Sequence, residues 1–409
     1  MAGRPVVLVV NTGSSSLKYQ VVDPATGERR ARGLIERIGE SGSVLHHQAV
    51  GQPGLEQVQD LPDHAAALER MMQALTSSGV DVAGLFAVGH RVVHGGERYR
   101  QPVIVDDAVQ AAIAELVPLA PLHNPAGLLG IAELRRLLPD VPQVAVFDTA
   151  FHATMPAEAS TYALPAELAE RWGLRKYGFH GTSYRYVTRR AAEELGVPVD
   201  AVNLVVCHLG NGASMAAIRG GVSVDTTMGM TPLQGLVMGT RSGDIDPAVV
   251  LQLMRVGGLG LDEVDALLNR ESGLKGLAGH QDMRTVRARA EAGDDAALRA
   301  LAVYEYRIRS YIGAYLAAVP GVQALVFTAG IGEHDARLRA EVCEPLGHLG
   351  IRLDPARNEA DGAGVRVIDD GTGPIRILVV PTDEEAEIAR QAAETVAGVQ
   401  GAPDMRRMD

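Results

Sequence analysis

The first residues able to do chemistry lie in a glycine- and hydroxyl-rich turn between two apolar runs, "VVLVVNTGSSSLKYQVVD" at 6–23. A strand hairpin would bring four polar side chains to its tip: Asn11, Ser14, Ser16 and Lys18. Glycine lets the backbone approach a ligand closely, so that N–H groups and short hydroxyls can converge on phosphate oxygens. The lysine would add a mobile positive charge. The pattern therefore predicts a phosphate-binding hairpin.

The same pattern recurs later in the chain. "LVVCHLGNGASMAAIRGGVSVD" at 204–225 also runs from an apolar strand through a glycine turn into a second strand, and "LVFTAGIGEHD" at 325–335 adds a third turn. Duplicated halves that each begin with a hairpin would set two such turns across a cleft. None of the turns is a P-loop, and we expect none to open a helix as a Rossmann turn does. Because small polar turns are common in α/β proteins, each is a weak signal by itself.

Length and composition limit the classes to which the protein can belong. The 409 residues suffice for two or three domains. A net charge of −12 with interspersed signs argues against nucleic acid or an anionic membrane as the main partner. Cys207 and Cys343 lack metal-binding or redox spacing and fit buried thiols in a reducing compartment. Since no apolar stretch approaches the roughly 20 residues of a membrane span and no leader pattern occurs, we expect a cytoplasmic protein.

Hydrophobic patterning predicts the elements that position these turns. Short apolar runs predict buried strands beginning near residues 6, 141, 202, 322 and 375. Apolar residues at three- and four-residue spacing predict helices around 63–77, 183–195, 297–318 and 384–397. Asn124 before Pro125 and Asp246 before Pro247 are expected to cap two further helices. This mixture of strands and helices predicts the α/β class.

A series of short motifs, kept in one order over nearly the whole chain, resembles the acetate kinase family. They are "NTGSSSLKYQ" at 11, "HRVVHGG" at 90, "PLHNP" at 121, "VFDTAFH" at 146, "YGFHGTS" at 177, "HLGNGAS" at 208, "MGTRSGDIDP" at 238, "FTAGIGE" at 327 and "PTDEE" at 381. The resemblance implies two domains of duplicated ribonuclease H-like, actin-like ATPase topology with ATP in the cleft between them. The implied domains are 1–150 with 385–409, and 151–384. It also implies a homodimer that uses Mg²⁺, or Mn²⁺ as an alternative, to convert ATP and acetate into ADP and acetyl phosphate.

Such a reaction poses an electrostatic problem. The acetate carboxylate, with an ordinary pKa of about 4, is ionised at neutral pH and needs no general base. Because it must approach an anionic γ-phosphate, guanidinium groups and a metal are the natural solution. Arg91 and Arg241 sit in glycine-flanked loops. By resemblance they bracket the phosphoryl group and the acetate carboxylate, His180 donates a hydrogen bond to the phosphoryl group, and Asp148 orients the arginine and metal network.

The resemblance also assigns metal and nucleotide contacts. Asn11 and Glu384 are expected on the metal side, since Mg²⁺ prefers oxygen ligands. For Glu384, a favourable interaction with the dipole of its own helix is the alternative. The implied nucleotide contacts are Ser14, Ser16, Lys18, His208, Asn211, Gly212, Asp282, Arg284, Gly330, Ile331 and Gly332. For His208 and also His123, a packed imidazole without contact to substrate is the alternative.

A small apolar pocket is expected to select the acid. The positions that match the family's pocket are Val93, Leu122, Phe179 and Pro232, beside the carboxylate-binding Arg91. Each could instead be ordinary core. One methylene is usually worth only about 1–3 kcal/mol of discrimination, so we expect acetate to be preferred and propionate to be a poorer substrate. A propionate or butyrate kinase of the same family is the alternative.

Three positions depart from the family pattern. Tyr184 stands where histidine is frequent, His334 follows Glu333 where asparagine is usual, and Asp383 replaces a typical asparagine. They bear on nucleotide and metal preference. A sugar kinase would need a polar sugar pocket and an aspartate base, and two arginines beside an apolar pocket argue against it. A non-catalytic actin-like ATP-binding module stays open and would hydrolyse ATP slowly without dependence on an acid.

Overall fold

The computed structural model describes residues 5–121 and 123–400, and the chain divides into two compact units. One unit runs up to Phe151 and resumes at Asp383, and the other spans His152–Thr382. The boundaries expected from the sequence, after residue 150 and before residue 385, lie close to these positions. That each unit is an independent domain stays a prediction.

A mixed eight-stranded sheet forms the centre of the first unit. Its strands are β1 (Val7–Thr12), β2 (Ser16–Val22), β3 (Arg29–Glu36), β4 (Ser43–Ala49), β5 (Leu55–Gln59), β6 (Ala87–Val92), β7 (Val103–Ile104) and β8 (Gln143–Phe147). Their order across the sheet is β5-β4-β3-β2-β1-β6-β8-β7. Strands β1 to β5 form an antiparallel meander, β6 and β8 continue the sheet parallel to β1, and β7 is an antiparallel edge.

Helices cover both faces of this sheet. They are α1 (His64–Ser77), α2 (Asp107–Glu115), α3 (Asn124–Leu137) and, from the returning chain segment, α15 (Glu384–Gln400). Successive residues of a strand point to opposite faces. Accordingly Leu8 joins the core cluster that contains Met71 of α1, whereas Val7 and Val9 join the cluster that contains Ile388 of α15. The unbroken apolar run of β1 follows from this two-sided burial.

The second unit has a six-stranded sheet with the order β11-β10-β9-β12-β14-β13. Its strands are β9 (Leu204–Leu209), β10 (Ala213–Arg219), β11 (Val222–Thr226), β12 (Ala324–Thr328), β13 (Arg366–Val367) and β14 (Arg376–Val379). Its helices are α4 (Ala157–Ser160), α5 (Ala166–Trp172), α6 (Gly181–Leu195), α7 (Pro247–Arg255), α8 (Leu261–Arg270), α9 (Gly273–Ala278), α10 (Met283–Glu291), α11 (Asp295–Ala318), α12 (Ala329–His334), α13 (Ala336–Cys343) and α14 (Pro355–Glu359).

The two sheets share one topology. Each has three consecutive antiparallel strands, β1–β2–β3 or β9–β10–β11, followed by two strands parallel to the first and one short antiparallel edge strand. This repeat confirms the predicted α/β class with duplicated topology. No helix of the described residues is long and apolar enough to cross a membrane.

Two local predictions are wrong. Asn124 begins α3 instead of capping it. Its buried side-chain amide is engaged with the His94 backbone, because Oδ1 accepts from His94 N and Nδ2 donates to His94 O, each at 3.3 Å. The turn at 329–332 does open a helix, since α12 begins at Ala329 directly after β12 ends. The chain reverses at Ala329 itself, which adopts a left-handed φ of 65°, so that the two glycines that follow lie within the helix.

Candidate active site and nucleotide cavity

Arg91 and Asp148 form a paired group in the first unit. Arg91 lies near the end of β6 and Asp148 directly follows β8, two neighbouring parallel strands whose carboxyl ends meet at one edge of the sheet. Arg91 Nη2 donates to Asp148 Oδ2 at 2.7 Å, and Nε donates to both carboxylate oxygens at 3.1 Å. Glu384, the first residue of α15, lies 3.5 Å from Arg91 Nη1. The arginine is therefore held in a fixed orientation by two carboxylates.

Negative charge exceeds positive charge around the Arg91–Asp148 pair. Burial opposes the charge on Arg91, but Asp148 and Glu384 outweigh it and raise the pKa of the guanidinium above its usual range. Burial raises the pKa of Glu384; Arg91 opposes that rise, and the carboxylates of Asp148 and Glu385 add to it. Three carboxylates thus face two cations, Arg91 and Lys18, and an added cation would relieve the excess negative charge.

The tip of the opening hairpin is tight and partly exposed. Gly13 N donates to Ser16 O at 2.8 Å, which places Ser14 at the exposed tip and Ser16 at the start of β2. Asn11 lies opposite Lys18 across the β1–β2 ladder. The Lys18 side chain is half exposed, and its ammonium group pairs with the Glu385 carboxylate. No local sequence pattern specifies this partner, because Glu385 lies on α15, far along the chain from the hairpin.

Arg241 has the opposite environment in the second unit. Its Nη1 donates to Pro232 O at 3.2 Å and lies 3.7 Å from Met238 Sδ. Within residues 5–121 and 123–400 no acidic side chain pairs with it, and burial lowers the pKa of the guanidinium. A partly buried cation without a counter-ion is unfavourable unless an anion binds to it. Arg241 is thus suited to hold an anionic ligand.

His180 and His208 stack in the same unit, with ring centroids 4.2 Å apart and planes 20° apart. His180 precedes α6 with a left-handed φ of 59°, a conformation that is uncommon outside glycine and is frequent at functional sites. A side-chain carbon built on Gly212 would lie 3.6 Å from His180 Nε2 and 3.7 Å from Arg241 Nη1. Glycine at 212 therefore leaves open a small space that both side chains border.

A cavity of about 880 Å³ in the second unit brings together the predicted nucleotide contacts Asn211, Asp282, Arg284, Gly330 and Ile331. The other lining residues are Gly210, Gln281, Met283, Arg287, Ala288, Glu291, His334 and Asp335. The predicted contacts Gly212, Gly332 and His208 are not among them. Its volume lies in the range of about 300–1,000 Å³ that is typical of sites for small molecules and cofactors.

One wall of the cavity was missed by the sequence analysis. Arg287, Ala288 and Glu291 follow Arg284 at intervals of three, four and seven residues, so α10 presents them on one face. That spacing is a signal that could have found them. Arg287 is fixed by Asp335 and Glu341, each at 2.9 Å.

Asp282 and Arg284 pair with each other at the start of α10. Asp282 caps the helix by accepting from Arg284 N at 2.8 Å, and its Oδ2 accepts from Arg284 Nη2 at 2.6 Å. Hydrogen bonds from Arg284 lower the pKa of Asp282, although burial opposes them. The Arg284 side chain is 91% exposed and is therefore free to reorient towards a ligand.

The residues predicted to form the acid pocket are distributed over both units. Val93 follows β6 in the first unit and is half-buried, and Leu122 lies outside the described residues. Phe179 is buried in the second unit, and Pro232 accepts the hydrogen bond from Arg241. Their grouping into one pocket stays a prediction. His123 precedes α3 without a side-chain capping bond.

Comparison with known proteins places these features in a family. Residues 6–390 match the sequence profile of the Acetokinase family. An acetate kinase of Leifsonia xyli subsp. xyli is 55% identical over 96% of this chain and 99% of its own length. The crystal structure of Porphyromonas gingivalis acetate kinase matches with 42% identity and a TM-score of 0.90, covering 96% of this chain and 100% of that one. The crystal structure of a propionate kinase from Francisella tularensis subsp. tularensis matches with 37% identity and a TM-score of 0.91, covering 95% of this chain and 99% of that one. The chain belongs to the acetokinase family.

Proposed function

We propose that this chain transfers the γ-phosphoryl group of ATP reversibly to the carboxylate of acetate, giving ADP and acetyl phosphate. The observation that carries the proposal is Arg241, a partly buried guanidinium without an acidic partner among the described residues. It belongs to the same unit as the nucleotide-sized cavity lined by Asn211, Asp282 and Gly330. Membership of the acetokinase family supports the choice of reaction.

The second unit would bind the nucleotide and stabilise the transferring group. In the proposed step, an acetate oxygen attacks the γ-phosphorus while the bond to the β-phosphate oxygen of ADP breaks, and no proton is removed from the nucleophile. Arg241 would balance charge on the phosphoryl oxygens with paired donors. His180 Nε2, which borders the open space at Gly212, would donate to one of these oxygens.

The first unit would contribute Arg91 as a second fixed cation. A guanidinium held by Asp148 through three hydrogen bonds loses little conformational entropy when it binds an anion. Asp148 would act by orienting Arg91. The hairpin residues Ser14, Ser16 and Lys18 would bind phosphate oxygens, and for Lys18 this requires exchange of the Glu385 carboxylate for the ligand.

A magnesium ion fits the residues near Arg91, although the described residues contain no group of three or more His, Cys, Asp or Glu side chains that could hold a metal by itself. Mg²⁺ is usually bound by one or two carboxylates together with substrate phosphates and water. The excess negative charge around Glu384 matches that mode. We propose that Glu384 and Asn11 hold the ion, with Mn²⁺ as an alternative. The bound metal would neutralise charge on the phosphates.

Trapping of acyl phosphate as the hydroxamate tests the reaction. The native protein should form product from MgATP only when acetate is added, and Arg241→Ala should lose at least about 100-fold of that activity. Arg255→Ala, which removes an exposed arginine of the same unit, is the matched control and should keep full activity. Binding of ATP without product from any acid would instead favour the non-catalytic ATP-binding module.

A propionate kinase is the second candidate, because the propionate kinase from Francisella tularensis subsp. tularensis is also a close structural relative. We expect kcat/KM to be higher for acetate than for propionate, by about 10–200-fold if the pocket excludes one methylene. A higher value for propionate or butyrate would reassign the substrate.

The homodimer and the cytoplasmic location expected from the sequence stay predictions. Light scattering at micromolar concentration tests the homodimer.

A further inference from the structure

A chain of buried hydroxyl groups ends on the ring of His180. Tyr184, in the first turns of α6, has its phenol oxygen 2.6 Å from Ser214 Oγ on β10, and the same Ser214 Oγ lies 2.8 Å from His180 Nδ1. Both Tyr184 and Ser214 are fully buried.

The neighbouring residue of α6 makes a matching arrangement with the second stacked imidazole. Ser183 Oγ lies 2.8 Å from His208 Nδ1 and 2.8 Å from Thr382 Oγ1. Each ring of the His180–His208 stack therefore has its Nδ1 atom bonded to a buried serine hydroxyl. Consecutive residues of one helix, Ser183 and Tyr184, fix the two rings.

We propose that Tyr184 is a positioning residue that sets the tautomer of His180: the phenol donates to Ser214, the Ser214 hydroxyl donates to His180 Nδ1, and the proton of the neutral ring resides on Nε2. The Nε2–H group then points towards the open space at Gly212 as a hydrogen-bond donor. This inference rests on the proposed function in so far as His180 is the residue that contacts the transferring group.

The proposed direction of the chain uses each hydroxyl proton once. A serine hydroxyl has one proton and two lone pairs, so Ser214 can donate to only one of its two neighbours. Burial keeps the phenol protonated, since it raises the pKa of Tyr184 well above its usual value. If Tyr184 donates to Ser214, the serine proton is directed to Nδ1, and the other tautomer of His180 is excluded.

Substitution tests the positioning role. Tyr184→Phe should lower kcat about 10–100-fold, as loss of an outer hydrogen-bond partner does at other sites, while KM for acetate and ATP changes less than about threefold. Ser214→Ala should give the same loss, and the double variant no further loss, because both act through one ring. Tyr315→Phe is the matched control: its hydroxyl is also buried, has no hydrogen-bond partner among the described residues, and should be dispensable.

A spectroscopic measurement on the native protein separates this inference from the proposed function. Nitrogen-15 NMR of labelled histidine should find His180 protonated at Nε2 with Nδ1 as the acceptor, and Tyr184→Phe should produce a mixture of tautomers. Protonation at Nδ1 in the native protein, or an unchanged kcat in Tyr184→Phe, would overturn the inference. Absence of acyl phosphate formation by the native protein would overturn the proposed function and leave the tautomer result to stand alone.

Discussion

Arg91 donates three hydrogen bonds to the carboxylate of Asp148, whose side chain is only 2% exposed. The second proposed catalytic arginine, Arg241, has no acidic partner within the described residues and bonds instead to a backbone carbonyl. Among the described residues, one cation is therefore compensated by a carboxylate and the other is not. The two arginines should respond differently to substitution, in stability as well as in activity.

Asp148→Asn should destabilise the fold and lower activity together. Loss of one partner from a buried pair leaves the remaining charge poorly compensated, so we expect the free energy of unfolding to fall by about 3 kcal/mol and kcat/KM to fall at least tenfold. Urea unfolding and the hydroxamate assay measure the two effects. Glu193→Gln, which breaks exposed pairs with Arg189 and Arg190, is the control and should cost no more than about 1 kcal/mol. Equal unfolding midpoints for the native protein and the Asp148→Asn variant would contradict the prediction.

Arg241→Met should abolish acyl phosphate formation without loss of stability. The substitution removes a desolvated charge that has no acidic partner in the described part of the chain, and we expect the free energy of unfolding in the absence of ligands to rise by about 1 kcal/mol. Arg91→Met is the matched comparison and should lower it, because the buried Asp148 carboxylate would lose its three hydrogen bonds from the guanidinium. The idea fails if Arg241→Met unfolds at a lower urea concentration than the native protein does.

Gly330→Leu should weaken nucleotide binding selectively. Gly330 lines the cavity, and a side-chain carbon there would meet nothing within 4 Å, so the leucine has room to enter the empty volume. We expect KM for ATP to rise at least tenfold, with KM for acetate and the unfolding midpoint nearly unchanged. Gly313→Leu is the control, because this helical glycine also has open space but lies outside the cavity. An unaltered KM for ATP in Gly330→Leu would show that the nucleotide binds elsewhere.

Glu305 should make the stability of the protein depend on pH near neutrality. Burial, together with a hydrogen bond to Glu341, raises the pKa of Glu305 from about 4.5 to about 7, and Arg309 and Arg287 oppose the rise. Because the folded-state pKa is the higher one, the stabilisation by the protonated carboxyl is complete below about pH 4.5 and is lost as pH rises through 7.

Glu305→Gln removes this titration and provides the measurement. Between pH 5 and pH 8 the free energy of unfolding of the native protein should fall relative to that of the glutamine variant, by at most about 1.4 kcal/mol per pH unit for one proton. Urea midpoints at several pH values would give the difference. A difference that stays constant over this range would mean that Glu305 is ionised throughout.

Much of the fold could be predicted because the strands are buried on both faces. The runs that begin near 6, 141, 202, 322 and 375 are rich in Val, Ile and Leu, and each contains a strand that lies inside its sheet and not at the edge. The helix that starts after Asp246 was also predicted, since the Asp246 side chain accepts from Ala248 N at 2.8 Å as a capping residue should. Local signals of this kind require no knowledge of distant parts of the chain.

The parts that could not be predicted depend on partners distant in sequence. Lys18 pairs with Glu385, and Arg287 pairs with Asp335, in contacts that no local pattern specifies. Asn124 has the residue type and position of a helix cap, but its side-chain amide forms hydrogen bonds with the buried backbone of His94 instead. The chemical character of Arg241 was predicted from its loop, whereas the absence of an acidic partner for it within residues 5–121 and 123–400 became visible only in three dimensions.

Helix α15 contributes Ile388, Ala392 and Val396 to the core of the first unit, although the ribosome makes it only after the entire second unit. At about 5–20 residues per second, the strands that carry Val7 and Val144 must wait on the order of tens of seconds for that cover. During translation the first unit therefore exposes one apolar face of its sheet to chaperones and to aggregation, whereas the second unit is made from one contiguous segment and needs no later part of the chain for its core.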